Sequence, residues 1–212
     1  MFGFSYMKTP AFKARRKPQQ SRARMTQGAL LESFVRLLDT QDYPDITIRD
    51  ITELAGVGLG TFYEYFGDKD ELAALCIHQY IKQQARALEQ YANTLEASLE
   101  LALYIEALVN FQIQSIRQEQ HIWATLFLLE RQISSVSAYQ KHYRLHVESW
   151  CKVLVHLCNC PRQELESLAL NLHRIIYGMI SQTLLQEPEY QHWFELKQDI
   201  RRAISGFLPL SP

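Results

Sequence analysis

The sequence predicts an all-α protein. Three observations carry this. From Arg22 onward, apolar residues recur at i, i+3, i+4 and i+7, the spacing of one helix face. No segment shows the strict alternation of a half-buried strand. The prolines and most glycines fall between the periodic segments and punctuate them. Hydrophobic residues make up 47% of the 212 positions, so the chain has the material for a substantial core and disorder is not the default.

The elements follow in order. The spacing predicts a first helix over 22–40, with Leu30, Phe34, Leu37 and Leu38 on one face. Pro44 in QDYPD cannot continue it. Thr47 caps a second helix over 48–55, and Asp50 stands where a capping box prefers Glu or Gln, which predicts an imperfect box. Gly56 stops that helix, and Gly58 caps a short third one over 59–66. Gly67 or Asp68 opens a fourth helix that runs to about Tyr91. Asn93 with Glu96 gives a capping signal for a fifth, to about Gln118. A sixth is expected over 121–132 and a seventh over 137–158. Pro161 opens an eighth, to about Gln186, and Pro188 a ninth, to about Phe207. No internal repeat and no low-complexity tract interrupts this series.

Charge and length narrow the function. The longest run without Asp, Glu, Lys or Arg is the 12 residues from Ile175 to Gln186, short of the roughly 20 that span a bilayer. The first residues lack the apolar stretch of a secretory signal, so a cytoplasmic protein with no membrane partner is expected. Four cysteines in a chain of this length are too few for a disulfide scaffold. Net charge is −1, but Lys8, Lys13, Arg15, Arg16, Lys17, Arg22 and Arg24 crowd the first 24 residues with no acid among them. A basic arm on an acidic body suits a polyanion. Residues 1–21 are read as that flexible arm.

The stretch GVGLGTFYEYFGDK, from Gly56 to Lys69, poses a choice between a nucleotide cofactor and a nucleic acid. A dinucleotide fingerprint needs G-x-G-x-x-G after a strand. Counted from Gly56 the third glycine falls on Thr61, and from Gly58 on Tyr63; the preceding TIRDITELA is helix-patterned. No Gly-Lys-Ser/Thr occurs, so a phosphate-binding loop fails as well, and no cofactor is expected. A helix-turn-helix fits instead. Gly56 supplies the turn, and Gly58 and Gly60 clear side chains from the leading end of the second helix, which would let backbone approach DNA.

TIRDITELAGVGLGTFYEYFGDKDEL resembles the DNA-binding domain of the TetR family of transcriptional regulators. The likeness covers roughly residues 24–75. It rests on the T-x-R-D-I helix, the AGV turn, G-T-x-Y-x-Y-F, and D-K-D-E-L, in one order at fixed spacing. It implies that Thr47 caps the second helix beside a phosphate and that Arg49 faces phosphate or a base. It places Gly58, Leu59, Gly60 and Thr61 at the major groove. It assigns Tyr63, Tyr65 and Lys69 to backbone phosphates, with Phe62 and Phe66 in the core. Gly58 stands where family members more usually have Ser, Leu59 is apolar where polar residues can read bases, and many members have His at the place of Tyr65. Few side chains are left to read bases, so Arg49, DNA shape or the basic arm would carry specificity. The domains are then 1–21, the arm; 22–70, a three-helix helix-turn-helix DNA-binding domain; and 71–212, a helical ligand-binding and dimerisation domain.

In that last part Tyr104, Leu108, Phe111, Trp123, Phe127, Tyr139, Tyr143 and Trp150 are candidates for an effector pocket. An aromatic stripe at this spacing is more often plain core, so the pocket is expected more firmly than any one lining residue. Leu168, Leu172, Ile175, Ile176, Gly178 and Met179 with Trp193, Ile200 and Ile204 form amphipathic faces that could build a four-helix interface between two copies. The same faces could instead close the chain's own core. Catalysis finds little support. Glu189 and His192 form a lone E-x-x-H, His142 and His146 lack the Glu of H-E-x-x-H, and the cysteines around Cys158 and Cys160 have no matching second pair. No metal and no catalytic residue are expected. The sequence reads as a homodimeric, ligand-responsive repressor that binds operator DNA and a small, largely apolar effector. A regulator without an effector is the alternative, and a helical metal enzyme a weaker one.

Overall fold

The computed structural model describes residues 21–96, 98–158 and 160–206. Nearly all of the expected basic arm therefore lies outside the described residues, as does Phe207. Among the described residues the chain forms nine α-helices and no strand: α1 (Ser21–Leu38), α2 (Ile48–Leu54), α3 (Leu59–Tyr65), α4 (Lys69–Ala92), α5 (Leu101–Gln118), α6 (Gln120–Ile133), α7 (Val136–Leu154), α8 (Arg162–Gln186) and α9 (Trp193–Ser205). Among them no helix is long and apolar enough to cross a membrane.

Local chemistry sets most of these ends. The capping box at α2 is complete with Asp in place of Glu. Thr47 Oγ1 accepts from Asp50 N at 3.1 Å, and Asp50 Oδ2 accepts from Thr47 N at 2.9 Å. Asp68 accepts from Glu71 N at 2.8 Å to open α4, and Ser135 accepts from Ala138 N at 3.2 Å to open α7. Each such cap contributes about 1 kcal/mol.

Three expected ends differ. Asn93 sits in helical geometry as the last cap of α4, so its polar side chain does not start α5, which begins at Leu101. The loop between them explains the mismatch: Asn93 and Glu96 are turn residues rather than a box. α7 ends at Leu154, and residues 155–157 turn back on it through Leu157 N to Leu154 O, 3.0 Å. Pro188 opens no helix; Tyr190 N donates to Glu187 O in a turn, and α9 starts at Trp193.

Two hydrophobic cores share two helices. One gathers α1, α2 and α3 around Phe34, Ile51, Phe62 and Phe66, with Leu72, Cys76 and Ile77 of α4 beneath them. The other lies among α4 to α9 around Leu108, Trp150, Leu172 and Ile200. α4 gives Leu72 to Ile81 to the first core and Leu88 to the second. α6 does the same by its faces, with Ile122, Leu126 and Leu129 in the first and Trp123, Ala124 and Phe127 in the second. Burying such side chains contributes roughly 1.5–3 kcal/mol each, so the two halves are joined by packing and not by a linker.

Candidate functional site

The α2–α3 turn is built by a double hydrogen bond that closes α2. Val57 N donates to Thr52 O at 3.0 Å and Gly56 N to Glu53 O at 3.1 Å. The turn requires Gly56 at φ 67°, a left-handed geometry that costs a residue with a Cβ about 1 kcal/mol or more. α3 then leaves the turn with one face buried and one open. Phe62 is fully buried, while Leu59 and Tyr63 are 46% and 42% exposed. Gly58 and Gly60 lie on the open side, and a Cβ built on either would meet no atom within 4 Å. Gly58 has φ −73°, an angle any residue adopts. Neither glycine is demanded by the chain's own packing or backbone. Arg49 on α2 is exposed beside this surface, and Thr61 is partly buried.

Two expected phosphate ligands sit differently from the others. Tyr65 is only 4% exposed and packs with Phe66 in the first core, so it is a core residue in this structure and not a surface contact. It lies three residues after Phe62 on α3, on the same buried face. Lys69 Nζ donates to Tyr43 O and Ile46 O, both at 2.6 Å, and lies over the Tyr43 ring at 4.2 Å. Two of its three N–H groups are thus spent tying the α1–α2 loop to the start of α4. The Tyr43 hydroxyl completes the tie by donating to Asp70. Burial pulls the Lys69 ammonium below the usual lysine range.

Behind α6, a cavity of about 50 Å³ opens among α4, α5, α6, α7 and α8. Its walls include Ile81, Trp123, Phe127, Trp150, Ile176 and Tyr177, with Gln84, Gln112, Glu130, His146 and His173 among them. Glu130 is buried, and its two oxygens are taken. His142 Nδ1 lies 3.1 Å from one, and the Tyr177 hydroxyl donates to the other at 2.6 Å. His142 Nε2 in turn meets His78 Nδ1 at 3.3 Å. His146 stacks on His173 with ring centres 4.9 Å apart. Burial pushes these two rings down to about 4 and about 3, so both are neutral at pH 7.

Comparison with known proteins decides which architecture this is. Residues 30–76, which hold the second half of α1, all of α2 and α3 and the start of α4, match the family described as bacterial regulatory proteins, tetR family. An uncharacterised helix-turn-helix-type transcriptional regulator of Bacillus subtilis (strain 168), YxbF, is 25% identical over 195 residues, 89% of this chain and 50% of that protein. The chain thus spans about half the length of this curated relative. A putative TetR-family regulator from Mesorhizobium loti superposes with TM-score 0.70 at 14% identity, covering 89% of this chain and 97% of the other. Thermus thermophilus FadR, a TetR-family repressor solved with lauroyl-CoA, superposes with TM-score 0.66 at 16% identity, covering 88% and 97%. Residues 30–76 thus resemble the DNA-binding part of the TetR family, and the fold is that of TetR-family structures.

The matched family and the curated relative are transcriptional regulators, not enzymes. His142 and His146 serve the buried network described above, and among the described residues no group of three or more His, Cys, Asp or Glu could hold a metal ion. Cys158 is partly buried; burial first, then Cys160, pushes its thiol up to about 11, so it is a poor nucleophile.

Of the expected pocket residues, Trp123, Phe127 and Trp150 line the cavity. Tyr139 and Tyr143 line a small recess beside it, with His142 and His146. Tyr104, Leu108 and Phe111 do not reach it. They belong to the face of α5 that packs on the second core, Phe111 stacking on Tyr91 at 4.5 Å. Sequence reading missed Gln84, Gln112, Glu130, His173 and Tyr177. A signal for the two glutamines was present: Ile77, Ile81, Gln84 and Leu88 share one helix face, as do Leu108, Gln112 and Ile116, so each glutamine interrupts an apolar stripe.

Of the expected interface residues, Leu172, Ile176, Trp193, Ile200 and Ile204 are buried inside this chain and are corrected to core. They belong to the second core. Leu168, Ile175, Gly178 and Met179 remain partly exposed on α8.

Proposed function

We propose that this chain acts as a homodimeric DNA-binding transcriptional regulator, a repressor released from a near-palindromic operator by a small, largely apolar effector. The observation that carries the DNA contact is the open face of α3. Gly58 and Gly60 leave room that nothing in the chain fills, between the exposed Leu59 and Tyr63. Glycines that packing does not require suit the close approach of a phosphate backbone. In this reading Thr47, Tyr63 and the remaining N–H of Lys69 meet phosphates. Arg49 and Thr61 reach toward bases, and Leu59 packs on a thymine methyl.

The cavity supports an effector-responsive regulator over one without a ligand. The FadR neighbour, solved with lauroyl-CoA, is a TetR-family repressor with a bound ligand. The effector acts through α4 and α6, the two helices that belong to both cores. Moving the balance between binding and released states from 99:1 to 1:99 takes about 5.5 kcal/mol of differential ligand affinity.

Dimerisation is assigned to the outer face of α8. A Cβ on Gly178 would meet no atom within 4 Å in the free chain, so Gly178→Leu leaves the monomer folded. Leu is also the better helix former by up to about 1 kcal/mol. Sedimentation of this variant should give a monomer, where the parent gives a dimer. Selection from random DNA should enrich paired half-sites about 34–36 Å apart, or a multiple, for the parent and not for the variant. A variant that stays dimeric and selects the same paired sites refutes the assignment.

A further inference from the structure

The cavity contains an unanswered hydrogen-bonding problem. Gln84 Oε1, Gln112 Oε1 and Trp123 Nε1 have no partner. All three side chains line the same cavity and are more than nine-tenths buried, at 8%, 8% and 5% exposure. A buried polar atom without a partner forfeits the full cost of leaving water, and native chains carry few of them. Gln84 is held in place from its other end, where Nε2 donates to Ser115 Oγ at 2.8 Å. The three atoms come from three different helices, α4, α5 and α6, around the same cavity.

Charge narrows what can meet them. No lysine or arginine is among the residues that line this cavity. The one carboxylate there, Glu130, is engaged by His142 and Tyr177. A carboxylate or phosphate group would enter without a counter-ion and face Glu130. An ammonium has donors only and would leave the indole N–H of Trp123 without an acceptor. The open positions are two acceptors and one donor, and the walls around them are aromatic and aliphatic.

We propose that the effector site, taken as the effector site in the reading above, recognises a neutral primary carboxamide on an aromatic or branched apolar body. The two amide N–H groups go to Gln84 Oε1 and Gln112 Oε1, and the amide oxygen accepts from Trp123 Nε1. Bound this way, the ligand completes three hydrogen bonds that the free protein leaves open. Its body displaces whatever fills a space of about 50 Å³ and spreads the rings of Trp123, Phe127 and Trp150. Because Gln112 Oε1 has no partner within the chain, replacing Gln112 with a side chain of like shape and no polar atom relieves the free state while weakening the bound one.

Titration calorimetry of the full chain with four probes on one ring tests this: benzamide, benzoate, benzylammonium and toluene. Benzamide should bind at least about ten-fold tighter than each of the others, the factor expected for one or more buried hydrogen bonds. Gln112→Met should lose that preference and melt no lower than the parent. Trp123→Phe, which keeps a ring and removes the N–H, should lose it as well. If toluene binds as tightly as benzamide, the head-group assignment fails and the effector cavity stands. If benzoate or benzylammonium binds tightest, the assignment fails in the same way. If Gln112→Met melts lower and keeps the preference, the glutamine is structural and the assignment fails. If no probe binds, the three atoms form an ordered-water site only, and the effector reading loses its support together with the proposal.

Discussion

Lys69→Met should destabilise the whole protein by about 2–4 kcal/mol, read as a lower urea midpoint or melting temperature. The Lys69 ammonium gives two hydrogen bonds at 2.6 Å, to Tyr43 O and Ile46 O. Those carbonyls lie in the loop that carries α1 into α2, and Ile46 is buried. A thioether of similar length keeps some of the apolar stem's packing and leaves both carbonyls unpaired. The ring contact with Tyr43, at 4.2 Å, is lost as well. The Tyr43 hydroxyl still reaches Asp70, so the loop keeps one tether and the fold survives at low temperature. A lysine used only for phosphate would give the opposite pattern: unchanged melting, and a salt slope of DNA binding smaller by about one unit. A variant with the parent's midpoint would show that the tie contributes nothing.

Acid should undo the second core before it touches the first. His146 and His173 sit at about 4 and about 3 because burial disfavours their charged forms. In the unfolded chain both protonate near pH 6.5. Between pH 6.5 and 4 the unfolded state therefore binds protons that the folded state refuses, and stability falls as pH falls. Each ring contributes up to about 1.4 kcal/mol per pH unit in that window. At pH 8 both are neutral in either state, and this loss is absent. His78 adds in the same direction, held low by burial and by His142, Lys141 and Lys82. Glu130 faces His146 and opposes the effect without overcoming it. The urea midpoint should drop steeply from pH 7.5 to 5, and His173→Phe should flatten the drop. A midpoint that does not change with pH, or a variant as steep as the parent, contradicts the account.

What was legible in the sequence was mostly what local chemistry decides. Thr47 and Asp50 announced the start of α2, and the box closed even with the shorter acid. Gly56 announced a left-handed turn, and φ 67° is there. The order and spacing of the glycines and aromatics carried the likeness to the TetR-family DNA-binding domain that residues 30–76 match. What stayed hidden depended on which helix lies opposite which. Tyr63 and Tyr65 read alike along the chain, yet a helix turns them by about 200° relative to each other, and only Tyr63 faces outward. Leu172 and Ile176 read as an interface stripe, but both are buried in the chain's own second core. Glu130, His142, His173 and Tyr177 lie on three helices, and no spacing along the sequence brings them together.

The central claim is that the open face of α3 meets DNA. Gly60→Leu tests it most directly, because a Cβ at Gly60 meets no atom within 4 Å in the free chain. The measurement is affinity for DNA selected by the parent, alongside the melting temperature of each protein. The account predicts that Gly60→Leu melts at or slightly above the parent, Leu being a better helix residue by up to about 1 kcal/mol. It predicts that affinity falls ten-fold or more, because the new side chain fills the space that the phosphate backbone needs, roughly 1.4 kcal/mol. A variant that folds equally well and binds the same DNA as tightly as the parent would contradict it.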